Sequence, residues 1–147
     1  MPVTELPATE LEQALSEAAA EVLETMFFSA MTPDSGTDPL PDASWISAGL
    51  RFHGKPSGEF GVGIPAVTGR KIAANFLGAD ESEVTEPRIG QVVSELANML
   101  CGSVLSRIEK DTLFDLSSPQ LLPEPGPSPF IVHVEEGPLA MWMGFDF

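Results

Sequence analysis

The chain has 147 residues, the length of one domain with a sizeable core, and 43% of them are hydrophobic. Twenty-two Asp and Glu against seven Lys and Arg give a net charge of −15, which argues against nucleic acid and anionic membranes as partners. The single cysteine, Cys101, precludes an internal disulfide, and neither a signal peptide nor a membrane-spanning run is recognisable. We therefore expect one domain over residues 1–147, located in the cytoplasm.

A helix is predicted first. Thr9 and Glu12 form a T-x-x-E capping box, and apolar residues follow at helical spacing. That stripe consists of Leu11, Leu15, Ala18, Ala19, Val22 and Met26, widened by Leu23 and Phe27. The helix should end near Phe28 or Met31, before a polar, proline-rich loop over residues 32–43.

Alternating apolar residues then predict two strands, Trp45–His53 and Glu59–Ile64. The turn Gly54–Gly58 lies between them, so the pair should form a β-hairpin. A second helix should start at Pro65, which suits a first helical turn, and should end at Gly78.

A third helix is predicted from Pro87 to Ile108, after an acidic loop over Ala79–Glu86. Its apolar residues repeat at helical spacing and define a buried stripe. The stripe consists of Ile89, Val92, Val93, Leu96, Leu100 and Val104.

The last third of the chain is typical of strands. Thr112–Leu116 is predicted as a strand and Gln120–Pro129 as a proline-rich connection. Phe130–Val134 and Leu139–Phe145 should form a second hairpin. Helices and hairpins that follow one another in blocks predict an α+β fold, with long helices packed on a largely antiparallel β-sheet.

A polar face is predicted on the third helix, almost opposite its apolar stripe. At 100° per residue, Gln91, Glu95, Asn98 and Gly102 fall within about 60° of one another. A carboxylate can accept from Lys or Arg, and a carboxamide can hold a water by donating and accepting at once. A glycine inside a helix costs about 1 kcal/mol relative to alanine, which indicates close approach by another molecule or by another helix. By pattern alone, such a face is in most cases ordinary polar surface.

No metal or cofactor site is predicted. Glu95 and Asn98 are poor metal ligands as a pair, and His53 and His133 are isolated in strand patterns. Cys101 has no histidine nearby in sequence and fits a buried small residue better than a nucleophile. A Gly-x-Gly in the second strand lacks the helix-opening glycine of a dinucleotide site.

The stretch Glu95-x-x-Asn98-Met-Leu-x-Gly102 resembles the CheC/CheX/FliY family of chemotaxis phosphatases and is closest to CheX-type domains. The similarity extends from about residue 10 onward. The other matching segments are Gly58–Pro65, Ile72–Gly78, Leu116–Pro119 and the final hairpin. The resemblance implies a CheC-like fold.

The resemblance also implies a function, acceleration of the hydrolysis of the aspartyl phosphate on a CheY-like response regulator. Glu95 would pair with the regulator's active-site lysine, and Asn98 would orient the attacking water. Gln91 and Gly102 would contact the partner. The divalent metal, Mg²⁺, would belong to the regulator, and the protein would need no cofactor of its own. A homodimer joined through the sheet is implied as well.

Two departures from the family pattern leave alternatives open. Gln91 stands where the family has Asp or Ser, and Pro119 lies slightly nearer than usual. A second Glu-x-x-Asn on the first helix is absent, which predicts one site per chain. The alternatives are a non-catalytic adaptor module of the same fold and a small-molecule-binding domain. The sequence identifies neither the regulator nor the pathway, which could be chemotaxis or another two-component system.

Overall fold

The computed structural model describes residues 8–32, 44–109, 111–126 and 129–146. Within them, three helices pack on a six-stranded antiparallel sheet, so the predicted α+β fold is confirmed. The elements in chain order are α1 (Ala8–Met26), β1 (Trp45–His53), β2 (Ser57–Pro65), α2 (Ala66–Leu77), α3 (Glu86–Ile108), β3 (Asp115–Leu116), β4 (Gln120–Leu122), β5 (Phe130–Val134) and β6 (Gly137–Asp146). None of these helices is long and apolar enough to cross a membrane.

The sheet has the strand order β3-β1-β2-β6-β5, and β4 also pairs with β1. Both predicted hairpins are confirmed, β1 with β2 and β5 with β6. Pairing of β2 with β6 joins the hairpins in the middle of the sheet. Side chains of alternating residues on β1 and β2 enter one hydrophobic core, among them Leu50, Phe52, Phe60 and Val62.

Helix α3 lies at the centre of the helical layer. It contacts α1 and α2, and it packs on β1 and β2 of the sheet. Every residue of its predicted buried stripe is buried, and Ala97, Cys101 and Leu105 extend that stripe. Each large apolar side chain buried in this way contributes about 1.5–3 kcal/mol, so the orientation of α3 about its axis is firmly set.

Helix α1 differs from the prediction at both ends. It begins at Ala8, so Thr9 lies inside the first turn instead of capping it. It ends at Met26, earlier than expected, because Phe28 takes a left-handed conformation (φ 53°) and the amide of Ser29 donates to the carbonyl of Leu23 at 2.9 Å.

This early end changes what is buried. Phe27 is fully buried and stacks on Phe76 of α2 with 4.6 Å between ring centroids. Met26 was predicted to lie in the apolar stripe, but its side chain is 47% exposed, so that prediction is wrong. The loop predicted over residues 32–43 lies outside the described residues, apart from Thr32.

The segment after α3 also departs from the prediction. The strand expected over Thr112–Leu116 is reduced to β3, and β4 forms inside the expected proline-rich connection. Both pair with the same edge of β1. Pro119 lies between them and has no amide hydrogen to donate, so one continuous strand cannot form there. Residues 127–128 of the connection lie outside the described residues.

Candidate functional site

The residues predicted to act on a partner lie on the outward side of α3. Thr85 is extended before the helix, and a proline in the first turn starts it. Gln91 and Glu95 are exposed, and Asn98 and Gly102 are partly exposed. The structure therefore brings all four predicted positions to one accessible face, as the helical spacing required.

Glu95 and Asn98 lie beside each other, and their side chains make no polar contact with the described part of the chain. They stand at i and i+3, which places their Cβ atoms about 5–6 Å apart. Among the described residues, neither side chain takes part in a hydrogen bond or ion pair. The residues between them, Leu96 and Ala97, are completely buried. The pair is thus a carboxylate and a carboxamide with free bonding capacity on a rigid support.

Gly102 has no packing role within the described part of the chain. A Cβ built on it would meet no heavy atom within 4 Å, so another helix does not explain the glycine. At Gly90 of the same helix, by contrast, a Cβ would lie 3.1 Å from the side chain of Leu121. Of the two explanations that the sequence left open for Gly102, packing against another helix has no support among the described residues.

Gln91 is engaged by a residue that the sequence did not single out. Arg88 Nη1 donates a hydrogen bond to Gln91 Oε1 at 3.0 Å. Arg88 is exposed, and it lies seven residues before Glu95, hence on the same side of the helix. The i, i+7 spacing between Arg88 and Glu95 is the sequence signal from which this position could have been predicted. The polar face of α3 therefore begins with a cation and continues to the Glu–Asn pair.

A groove of about 420 Å³ runs beside this face, between the end of α2 and the first half of α3. Its lining residues are Phe76, Leu77, Arg88, Gln91, Val92, Ser94 and Glu95. Phe76 and Leu77 are only half-buried, so they give the groove an apolar wall. A protruding side chain of a partner docked on Glu95 could enter it.

A larger cavity of about 590 Å³ lies on the opposite face of the sheet. Its walls include Arg51, Glu59, Gln120 and Trp142, and neither Glu95 nor Asn98 contributes to it. Arg51 is already bonded there by Asp146. A small molecule bound in this cavity would lie away from the motif on α3.

Two acidic residues of α1, Glu17 and Glu21, bond to side chains of α3. Arg107 of α3 lies 2.8 Å from Glu21 and 3.8 Å from Glu17, and the hydroxyl of Ser103 donates to Glu21 at 3.4 Å. These ion pairs are largely exposed and so contribute at most about 1 kcal/mol each. They nevertheless use the carboxylates of Glu17 and Glu21 within the fold.

Among the described residues, neither a reactive thiol nor a metal site lies on this face. Burial raises the pKa of the Cys101 thiol to about 12, so the thiolate needed for nucleophilic attack does not form near neutral pH. In the part of the chain that the structure describes, no three His, Cys, Asp or Glu side chains are grouped to hold a metal ion. What the face offers chemically is hydrogen bonding and charge.

A family model and several solved structures are similar to this chain. The family model described as chemotaxis phosphatase CheX matches residues 46–127. No curated protein matches the chain in sequence.

Several solved structures share the fold, and their low identity limits the comparison to the fold. CheX from Desulfovibrio desulfuricans is 16% identical, with a TM-score of 0.70 over 93% of this chain and 99% of that one. A putative chemotaxis protein from Desulfovibrio vulgaris Hildenborough is 17% identical, with a TM-score of 0.72 over 97% and 100%. The CheX–CheY–BeF3–Mg²⁺ complex from Borrelia burgdorferi is 14% identical, with a TM-score of 0.64 over 92% and 97%.

The family model covers more than half of the chain and includes the whole of α3, and the neighbouring structures have the CheC-like arrangement of helices on an antiparallel sheet. The resemblance seen in the sequence is therefore confirmed: the chain belongs to the CheX family of chemotaxis phosphatases.

Proposed function

We propose that this protein accelerates hydrolysis of the aspartyl phosphate on a CheY-like receiver domain. The observation that supports it best is the unpaired Glu95 and Asn98, side by side on the accessible face of a helix whose other side is buried. The family description as a chemotaxis phosphatase and the CheX–CheY complex of a structural neighbour point in the same direction.

Glu95 is the docking residue in this proposal. Its carboxylate pairs with the lysine of the receiver's active site. That lysine supplies a cation beside the phosphoryl group. Because Glu95 has no cationic partner among the described residues of its own chain, this pairing breaks no existing ion pair. Docking places α3 along the mouth of the receiver's active site.

Asn98 is the catalytic residue. Its carboxamide accepts from and donates to one water, which fixes the water in line with the bond between phosphorus and the aspartyl oxygen. The water oxygen bonds to phosphorus, the aspartyl carboxylate leaves, and inorganic phosphate is released. The receiver's own Mg²⁺ neutralises charge on the phosphoryl oxygens. The contribution of this chain is positioning, as in other phosphoryl transfers.

The test is phosphate release from a panel of phosphorylated receiver domains, with and without the protein. Asn98→Ala should lower the accelerated rate by about 100-fold or more because the water is no longer oriented, while binding survives. Glu95→Lys should abolish binding because it sets a cation against the receiver's lysine. Glu12→Lys changes the charge equally at an exposed position of α1 and should have wild-type activity.

Two results would contradict the proposal in different ways. Unchanged turnover by Asn98→Ala would refute the role of that residue. Binding of receiver domains without faster phosphate release, across the panel, would instead favour the adaptor alternative. That alternative has one specific observation in its favour, the replacement of the family's Asp or Ser by Gln91, whose oxygen accepts a hydrogen bond from Arg88.

The proposal includes a homodimer joined through the sheet. The outer edge of β5 is the open edge of the long strands, although the segment around Met31 covers part of it. There the amide of Thr32 donates to the carbonyl of His133, and the amide of Glu135 donates to the carbonyl of Ala30. Light scattering on the purified protein gives the mass directly, and a monomer at all concentrations would exclude this assembly.

A further inference from the structure

Arg88 differs from the other arginines of this acidic chain in its bonding. Arg51 and Arg107 form ion pairs with carboxylates. Arg70 donates to the backbone carbonyls of Glu81 and Val84. Arg88 has only the neutral side chain of Gln91 as a partner within the described residues, although the chain has 22 acidic residues.

The position of Arg88 is as distinctive as its bonding. It is exposed and stands two turns before Glu95 on the same side of α3, so about 10 Å of helix separates the two residues along the axis. Gln91 lies between them and holds the guanidinium by a hydrogen bond. The face therefore presents a cation at one end and an anion at the other, in a fixed order.

The groove completes this pattern because it runs alongside both charges. Arg88 and Glu95 are both among its lining residues, and the half-buried Phe76 and Leu77 form its apolar side. A surface that fits here must offer a cation opposite Glu95, an anion opposite Arg88 and an apolar side chain between them. A partner with the two charges reversed would place like charges together, which is unfavourable in a docked interface.

We propose that Arg88 is a specificity-determining residue, which selects receiver domains that present a carboxylate about 10 Å from the active-site lysine and an apolar side chain for the groove. This inference rests on the proposed function and adds the recognition rule for its partner. Gln91 acts as a positioning residue for Arg88, which gives a role to the amide that replaces the family's Asp or Ser.

The experiment measures binding and turnover separately. Affinity is measured with receiver domains loaded with beryllofluoride, and turnover with the same domains phosphorylated. Arg88→Glu should weaken binding by tenfold or more at low salt, with a smaller difference at high salt because the charges are screened. The rate of phosphate release by Arg88→Glu at a saturating concentration of receiver domain should equal that of the wild type. Arg88→Lys, which keeps the positive charge, should bind with most of the wild-type affinity.

Two matched controls test whether the effects on affinity depend on where the substitution is made. One repeats the change in charge at a distant position, and the other repeats the change in side-chain size. Lys55→Glu makes the same charge change in the exposed turn between β1 and β2 and should leave affinity unchanged. Ser94→Phe fills the groove and should weaken binding, whereas Ser106→Phe adds the same bulk at an exposed position about 18 Å further along α3 and should not.

The outcomes distinguish this inference from the proposed function. If the wild-type protein binds and dephosphorylates a receiver domain, and Arg88→Glu binds as well as Lys55→Glu, the recognition rule is wrong and the function stands. If the wild-type protein neither binds nor dephosphorylates any receiver domain of the panel, the function is refuted and the rule with it. Weak binding by Arg88→Glu with normal saturated turnover supports both.

Discussion

At the scale of single residues, the face of α3 is defined by what lies beneath it. Leu96, Ala97 and Leu100 are fully buried, so their neighbours Glu95 and Asn98 point outward. The sequence was sufficient to predict this arrangement because helical periodicity relates each residue only to its near neighbours. The sequence did not reveal that both polar groups are left without partners in the described chain, since that depends on every element nearby.

Replacing Gly102 by alanine should affect stability and binding in opposite directions. The new Cβ has open space, so the free energy of unfolding should rise by up to about 1 kcal/mol, or about 3 °C in Tm. The same methyl group should weaken binding of the receiver domain if the partner approaches the helix there. Thermal unfolding and affinity measurements check the two effects. Ser106→Ala on the same helix serves as control, and unchanged binding by Gly102→Ala would count against close approach.

At the scale of elements, both hairpins and all three helices were predictable, whereas the edge of the sheet was not. The long strands alternate clearly, so period-two patterning identifies them. β4 has three residues, and its middle residue Leu121 is 59% exposed, so there is no amphipathic pattern to recognise. It is a strand only because the edge of β1 offers free backbone groups to Gln120–Leu122.

The helix-free face of the sheet depends on a close contact between β2 and β6. Trp142 lies across Gly61, where a Cβ would be 2.2 Å from the indole ring. Gly61→Ala should therefore lower the free energy of unfolding by about 1–3 kcal/mol through overpacking. In a Trp142→Leu background the same change should have a smaller effect, because the rigid ring is gone. Urea denaturation of the wild type, the two single variants and the double variant measures the coupling energy between Gly61→Ala and Trp142→Leu. Equal effects of Gly61→Ala in both backgrounds would mean that contact with the indole does not cause the destabilisation.

At the scale of the whole molecule, the dominant property is the net charge of −15. Like charges repel one another in the compact state more strongly than in the unfolded chain. Arg51 and Arg107 relieve this locally by pairing with carboxylates, whereas Arg88 has no carboxylate partner within the described residues. Within the described residues, Arg88 is therefore an exposed cation without a carboxylate partner, on the same face as the Glu–Asn pair.

Salt should stabilise the isolated protein. Raising NaCl from about 10 mM to about 150 mM shortens the screening length from about 30 Å to about 8 Å and so weakens the repulsion. The free energy of unfolding, measured by urea denaturation, should increase over this range. Lys55→Glu makes the charge more negative and should show a steeper increase. A free energy that is constant or falls with added salt would mean that specific ion pairs outweigh the general repulsion.

The sequence by itself determined the family, the α+β class and the two faces of α3, because hydrophobic periodicity and a short motif are local properties of the chain. Only the tertiary structure decided that Arg107 forms ion pairs with Glu17 and Glu21, and that a groove lies between α2 and α3 beside Glu95. The pairing of β4 with β1 was decided in the same way. These features join residues far apart in the chain, and no local pattern specifies which of several possible partners a side chain or strand edge meets when the core closes.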